Sequence, residues 1–299
     1  PLRTAHDLYI NNELVTDVVI PESTTIVGNQ LSGISAKSIS MHDNITEIAD
    51  SAFAGCLNLE SATIPNRVLR INNNTFRDCK ALRSVVIGKR VTAIGGSAFC
   101  GCAALSEVEI PNSVITIEND AFRDCISLTA IDIPNSVTSI GWCAFAGCTR
   151  LRYLTIGNGV ATIEGEAFSD CQSLTEVIIP EGVTYIGNSA FYNCYNLTSV
   201  TIPTTLSEVG GFAFVTNGDL SDIHISDLSA WCRIAFQDCD ANPLYYGKNL
   251  YLNGELITEL EIPEGVTSIG NYAFYDCNCL TSVTIPSSVT LIGKEELYT

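Results

Sequence analysis

Hydrophobic positions along this chain recur with one fixed period. Phe stands at 53, 76, 99, 122, 145, 168, 191 and 214, always 23 residues after the one before. Around each Phe the pattern is close to L-x-x-V-x-I-P-x-x-V-x-x-I-G-x-x-A-F-x-x-C. Residues 174–194 are a nearly complete copy, with Leu174, Val177, Ile179, Pro180, Val183, Ile186, Gly187, Ala190, Phe191 and Cys194 in place. A fixed period of this length is the mark of a solenoid in which one repeat supplies one turn.

Within the unit the period changes. Val177 and Ile179 alternate with Glu176 and Ile178, which is the period of a strand, and Pro180 ends it because proline has no amide to give to a ladder. Beyond Val183 and Ile186, Gly187 permits a turn. Residues 188–194 then carry Ala, Phe and Cys at spacings that suit one helical turn or a 3₁₀ segment. The predicted fold is a repeat solenoid of leucine-rich type: a parallel β-sheet on one face, short helical or 3₁₀ segments and loops on the other, in a single elongated right-handed coil.

One 23-residue turn cannot bury its own apolar edges, so its stability must come from its neighbours. About twelve strands of the V-x-I type run from 18–20 to 283–285; stacked at ~4.8 Å they would make a rod of ~50–60 Å. Residues 1–299 are therefore expected to form one continuous solenoid. The Ala before nearly every Phe leaves room for the ring to lie inward, and a bulkier residue there would overpack the column.

Two stretches break the register. Residues 227–246 are a degenerate repeat or insertion, retaining Trp231, Cys232, Ala235, Phe236 and Cys239. Residues 250–256 then read as a hairpin around Asn253-Gly254, the pairing that a tight two-residue turn favours. Residues 1–21 match 243–263 at a constant offset of 242, so both are hairpin-containing variants of one module. A solenoid end needs a polar cap, and an internal module in that position implies a longer array.

These units resemble the BspA-type leucine-rich repeats of bacterial surface proteins, which also occur in some parasitic protists. The resemblance rests on I-P-x-x-V-x-x-I-G-x-x-A-F-x-x-C-x-x-L at 133–151 and 179–197, and on D-L-x-A-W-C at 227–232 and N-P-L-Y-Y-G-x-N-L-Y-L-N-G-E-L at 242–256. It covers nearly the whole chain. It implies surface exposure and, for some members, adhesion to host matrix proteins or to other bacteria. It implies a secreted or cell-surface location and brings no catalytic motif.

Charge narrows the partners. Lys and Arg number 15 against 33 Asp and Glu, a formal charge of −18, so a phosphate backbone is repelled over most of the surface and nucleic acid is excluded. No apolar run approaches the roughly 18 residues of a membrane span. Pro1 opens the sequence without a basic or apolar leader, so a signal or anchor is expected outside it.

Nine of the 13 cysteines, at 56, 79, 102, 125, 148, 171, 194, 239 and 277, stand three residues after a Phe. Stacked side chains at ~4.8 Å with parallel Cβ vectors do not suit a disulfide, whose Cβ atoms approach to about 3.8 Å. A buried ladder of free thiols is expected. Cys100, Cys143, Cys232 and Cys279 lie off that column, and the pairs 100/102 and 277/279 are C-x-C rather than the C-x-x-C of zinc or redox sites. The three histidines, His6, His42 and His224, fall on different turns without a nucleophile motif, and no phosphate-binding glycine loop is present. The chain is read as not an enzyme.

Binding on a solenoid concentrates on the open sheet face. With Val and Ile inward, the residues before and between them point out. Most are Ser, Thr or small apolar residues, and the exceptions cluster. Glu107, Glu109 and Asp132 should neighbour one another, with Tyr153, Glu176 and Ile178 just beyond. If the insertion leaves the stack continuous, Asp222 faces Glu259 and His224 faces Glu261. Like charges on adjacent strands repel. Three readings remain open for them: a solvated acidic face, a site for a basic protein or peptide, or calcium, for which no D-x-D-x-D-G loop is present. Tyr153 and Ile178 favour the first cluster. The expected function is a non-catalytic extracellular binding or adhesion module presenting its sheet face to host matrix proteins, other surface proteins or glycans. The alternative is a structural spacer or stalk of a larger surface protein.

Overall fold

The computed structural model describes residues 9–10, 12–245 and 248–294. Part of the predicted first module, including His6, lies outside the described residues. The V-x-I segments stack as parallel strands in register, each one repeat from the next: Ser61 pairs with Ser84, Ala62 with Val85 and Thr63 with Val86. The result is a parallel β-solenoid of about twelve turns with very little helix. Along each strand the alternation is visible in burial, as in Ala130–Ile133, where Ala130 and Asp132 are exposed and Ile131 and Ile133 buried.

A second parallel sheet, not expected from the sequence, runs along the adjoining side. It consists of two-residue strands from Arg70–Ile71 through Ser139–Ile140 and Tyr185–Ile186 to Ala235–Phe236. Strands this short show no alternation to read, which is why the segment between the proline and the glycine looked like a connection.

The back of each turn differs from a helical turn. It is a series of single i→i+3 bonds, such as Ala190 N to Gly187 O and Tyr192 N to Ser189 O, broken by left-handed residues two positions before and two after the Phe. Ser189 and Asn193 have φ of 57° and 57°, Asp120 and Asp124 57° and 58°. Left-handed residues stop a helix from propagating. Among the described residues, helical geometry is confined to Leu228–Trp231, Asn29–Leu31 and Cys239–Ala241.

One apolar core extends from Ile20 to Cys277. Its axis is the phenylalanine ladder: from Phe53 to Phe214 successive ring centroids lie 5.1–5.5 Å apart, a spacing at which each offset-stacked pair adds about 0.5–1.5 kcal/mol beyond burial. Ala before the Phe keeps that space open; where Thr75 takes its place, buried, its hydroxyl is satisfied by Asn72 O at 2.6 Å. The glycine after the second strand serves a different purpose from the turn expected of it. Gly187 has ordinary φ, but a Cβ there would stand 2.4 Å from Gly165 N in the preceding turn.

The insertion keeps the core filled but shifts the register. Phe236 pairs with Val209, so it occupies the second-strand isoleucine position and not the phenylalanine ladder. Phe214 N donates to Asp240 O where Phe191 N donates to Ala213 O, which puts Ala241 in the ladder position. Cys239 is therefore off the cysteine column. Trp231, 1% exposed, packs against Phe236 and donates Nε1–H to Ala273 O at 2.9 Å, tying the insertion to the next turn.

Candidate binding face

The cysteine column is structural. From Cys79 to Cys194 each column thiol donates to the phenylalanine carbonyl of the preceding turn, as Cys79 to Phe53 O at 3.1 Å, Cys148 to Phe122 O at 3.3 Å and Cys194 to Phe168 O at 3.2 Å, whereas Cys56 donates to Leu31 O at 3.2 Å. The neighbouring Cys79 lowers the thiol pKa of Cys56, whereas burial raises those from Cys79 to Cys194, the last pushed up to about 12. Such thiols are poor nucleophiles. Off the column, Cys143 is also pushed up to about 12, by burial first and then by Glu166, whose Oε2 lies 3.5 Å from its sulfur. The histidines are likewise engaged apart from each other. His42 Nε2 lies 2.8 Å from Pro21 O, and His224 stacks on Tyr251 with centroids 4.9 Å apart.

On the sheet face, Glu107 stands opposite Ser84, Asp132 opposite Thr155 and Tyr153 opposite Ala130, all exposed, and Glu109 is exposed just past its strand. The hydrogen-bonded ladder lapses between Glu107–Val108 and Ala130–Ile133, the place where the acids of the first cluster meet. Tyr153 is 64% exposed, and the Arg152 guanidinium lies 5.5 Å from its ring centroid. Glu176 pairs with Ser199, and Ile178, 57% exposed, with Thr201.

The second cluster is divided. The hairpin strand Asn249–Leu252 inserts beside Asp222–Ile225, so Asp222 faces Asn249 and His224 faces Tyr251. Asn249 Nδ2 donates to Asp222 Oδ1 at 3.2 Å. Glu259 and Glu261 belong to a separate pairing, opposite Ser282 and Thr284. Asp222 has gained an amide donor in place of the like charge expected from sequence. Among the described residues no group of three or more His, Cys, Asp or Glu is gathered as a metal site.

What the structure brings together instead is one member of each cluster. Ile178, Thr201 and His224 stand on consecutive strands. The chain then turns back at Asn253 and Gly254, φ 53° and 85°, the left-handed pair that a type I′ turn requires. That turn walls a groove of about 660 Å³ whose floor includes Thr155, Ile178, Thr201 and His224 and whose side includes Pro180 and Pro203. Its signal in the sequence was the Asn-Gly hairpin; what was not legible was that the hairpin would line one groove with Ile178.

The model of the BspA type leucine rich repeat region matches residues 6–129, 115–242 and 245–299. The chain belongs to this family. No curated protein matches it. Among solved structures, a leucine-rich repeat protein from Bacteroides ovatus is similar over 93% of this chain and 82% of its own, at 24% identity and TM-score 0.59. A leucine rich cell surface protein from Faecalibacterium prausnitzii covers 93% and 87%, at 23% identity and TM-score 0.50. A leucine-rich repeat protein from Eubacterium ventriosum covers 94% and 75%, at 18% and 0.51. These likenesses are of fold. Leucine-rich repeat solenoids fit binding or structural roles and are generally not enzymes. No helix among the described residues is long and apolar enough to cross a membrane.

Proposed function

We propose that this chain is a non-catalytic, surface-displayed binding module of a bacterium, whose ligand seat is the groove between the sheet face and the Asn253-Gly254 hairpin. The observation that carries the reading is Ile178, an exposed isoleucine in a column otherwise rich in Ser and Thr, lining one groove with His224, which stacks on Tyr251. Aromatic and apolar anchors in a partly enclosed seat supply most of the energy of a protein contact. A bacterial cell-surface location is supported by the likeness to the cell surface protein of Faecalibacterium prausnitzii. Host matrix proteins, other surface proteins and glycans are the partner classes to test.

The test compares the chain with Ile178→Thr on one side and Glu107→Ser/Glu109→Thr/Asp132→Thr on the other, against a panel of matrix proteins and glycans. Thr and Ser already occupy these columns in neighbouring turns, so the fold is retained. Binding lost with Ile178 but kept without the acids supports the groove. Binding lost with the acids alone moves the seat to the first cluster. A panel without any hit leaves the spacer reading in front.

A further inference from the structure

The charge of this chain is strikingly uneven in one place. Residues 67–90 hold seven of the 15 cationic side chains and a single acid, Asp78. That stretch carries +6, and the rest of the chain −24. Two adjacent turns are thus strongly basic in an acidic rod, and beyond about 8 Å in physiological salt the surrounding acids no longer mask them.

Part of this charge converges on a groove of about 510 Å³ on the second-sheet side, lined by Arg67, Leu69, Arg70 and Arg90 with Thr46, Glu47 and Asn72. Arg67 and Arg90 hold the same repeat position on consecutive turns, both exposed. Neither has a carboxylate within 4 Å among the described residues. In the following turns that position is Ser113 and then Ser136, whose hydroxyls donate to Val91 O and Val114 O at 2.6 Å. Here two exposed arginines line one groove from neighbouring turns instead. Arg70 shows how a carboxylate is seated on this side: both oxygens of Glu118 lie 2.7 Å from its Nη2.

We propose that this basic groove docks an acidic, extended peptide segment of a partner protein. Planar guanidinium forks suit side-chain carboxylates. Leu69, 50% exposed among them, offers an apolar contact that a peptide can use. The lining contains no aromatic ring, the platform on which a sugar would stack. This surface lies on the other sheet from the hairpin groove and is independent of it.

The experiment titrates a labelled 12-residue peptide rich in Asp, Glu and Leu, and in parallel heparin, into the chain at low and physiological salt. Two variants accompany it: Arg67→Ser/Arg90→Ser, using the serine of the neighbouring turns, and Arg67→Lys/Arg90→Lys, which keeps charge without the fork. Thermal melting checks that both fold. The expected result is peptide binding that weakens with salt, falls about tenfold or more in the serine variant, and falls less in the lysine variant. Peptide binding unchanged in the serine variant, no peptide binding at low salt, or heparin binding without peptide binding overturns the proposal. If the serine variant melts early, the lysine variant decides: binding equal to the parent overturns the carboxylate-fork docking.

Discussion

Asn217 Nδ2 donates to the carbonyl of Phe191 at 3.0 Å, the bond that a cysteine thiol makes in the six preceding turns from Cys79 to Cys194. The same side chain accepts from Cys194 N at 2.8 Å through Oδ1. An amide here replaces a thiol and satisfies two buried backbone groups together. Asn217→Ala leaves both unpaired and is expected to destabilise by about 1–3 kcal/mol. Asn217→Cys should recover much of that loss. Urea unfolding of the two variants measures the difference, and equal stability would show that the carbonyl has no need of a side-chain donor.

The thiol ladder makes stability sensitive to alkali. Burial raises the pKa of Cys125, Cys171 and Cys194, the last to about 12, whereas an unfolded thiol ionises near 8.5. Between these values the unfolded chain has lost protons that the folded chain keeps. Stability is therefore fully present below about pH 8.5 and falls as pH rises, by about 1.4 kcal/mol per pH unit for each such thiol. Urea midpoints followed from pH 7 to 11 should drop more steeply for the parent than for Cys125→Ala/Cys171→Ala/Cys194→Ala. Parallel curves would remove the ladder as the cause.

The repeat glycine is a matter of spacing between turns. A Cβ on Gly187 would lie 2.4 Å from Gly165 N and 2.7 Å from Glu164 C, both backbone, whereas Gly218 has nothing within 4 Å. Gly187→Ala is expected to cost about 1–3 kcal/mol through overpacking, and Gly218→Ala to stay near neutral. Thermal melts of the pair give the comparison; a harmless Gly187→Ala would mean that the turns can separate locally.

The hairpin turn should matter more to binding than to folding. Gly254 has φ 85° and nothing near its Cβ direction, so Gly254→Ala introduces only backbone strain, roughly 1 kcal/mol. The core, centred on the ladder, is remote from it. The expected outcome is a melting temperature within a few degrees of the parent and a clear loss of affinity for whatever ligand is lost with Ile178. Retained affinity would take the hairpin out of the seat.

Much of this molecule was legible from residues 53–214 alone. Phe at every 23rd position, V-x-I before Pro, and Cys three after Phe each become one stacked column, because identical turns bury identical positions. The outward residues of the first sheet follow for the same reason. The second sheet was not legible, since a pair such as Tyr185–Ile186 carries no alternation. Phe236 misled because residue type was taken for position, and only its pairing with Val209 reveals the shift.

The candidate site divides along the same line. Local repetition by itself determined the solenoid, the inward and outward columns and the thiol ladder, since these depend only on each turn meeting a copy of itself. Where repetition stops, tertiary structure decided. Asn249–Leu252 came to lie beside Asp222–Ile225, Glu259 was moved away from Asp222, and the hairpin came to line one groove with Ile178 and His224. A break in the period has no copy to pair with, so its partners are chosen by which strand edge and which cavity in the core are left to fill.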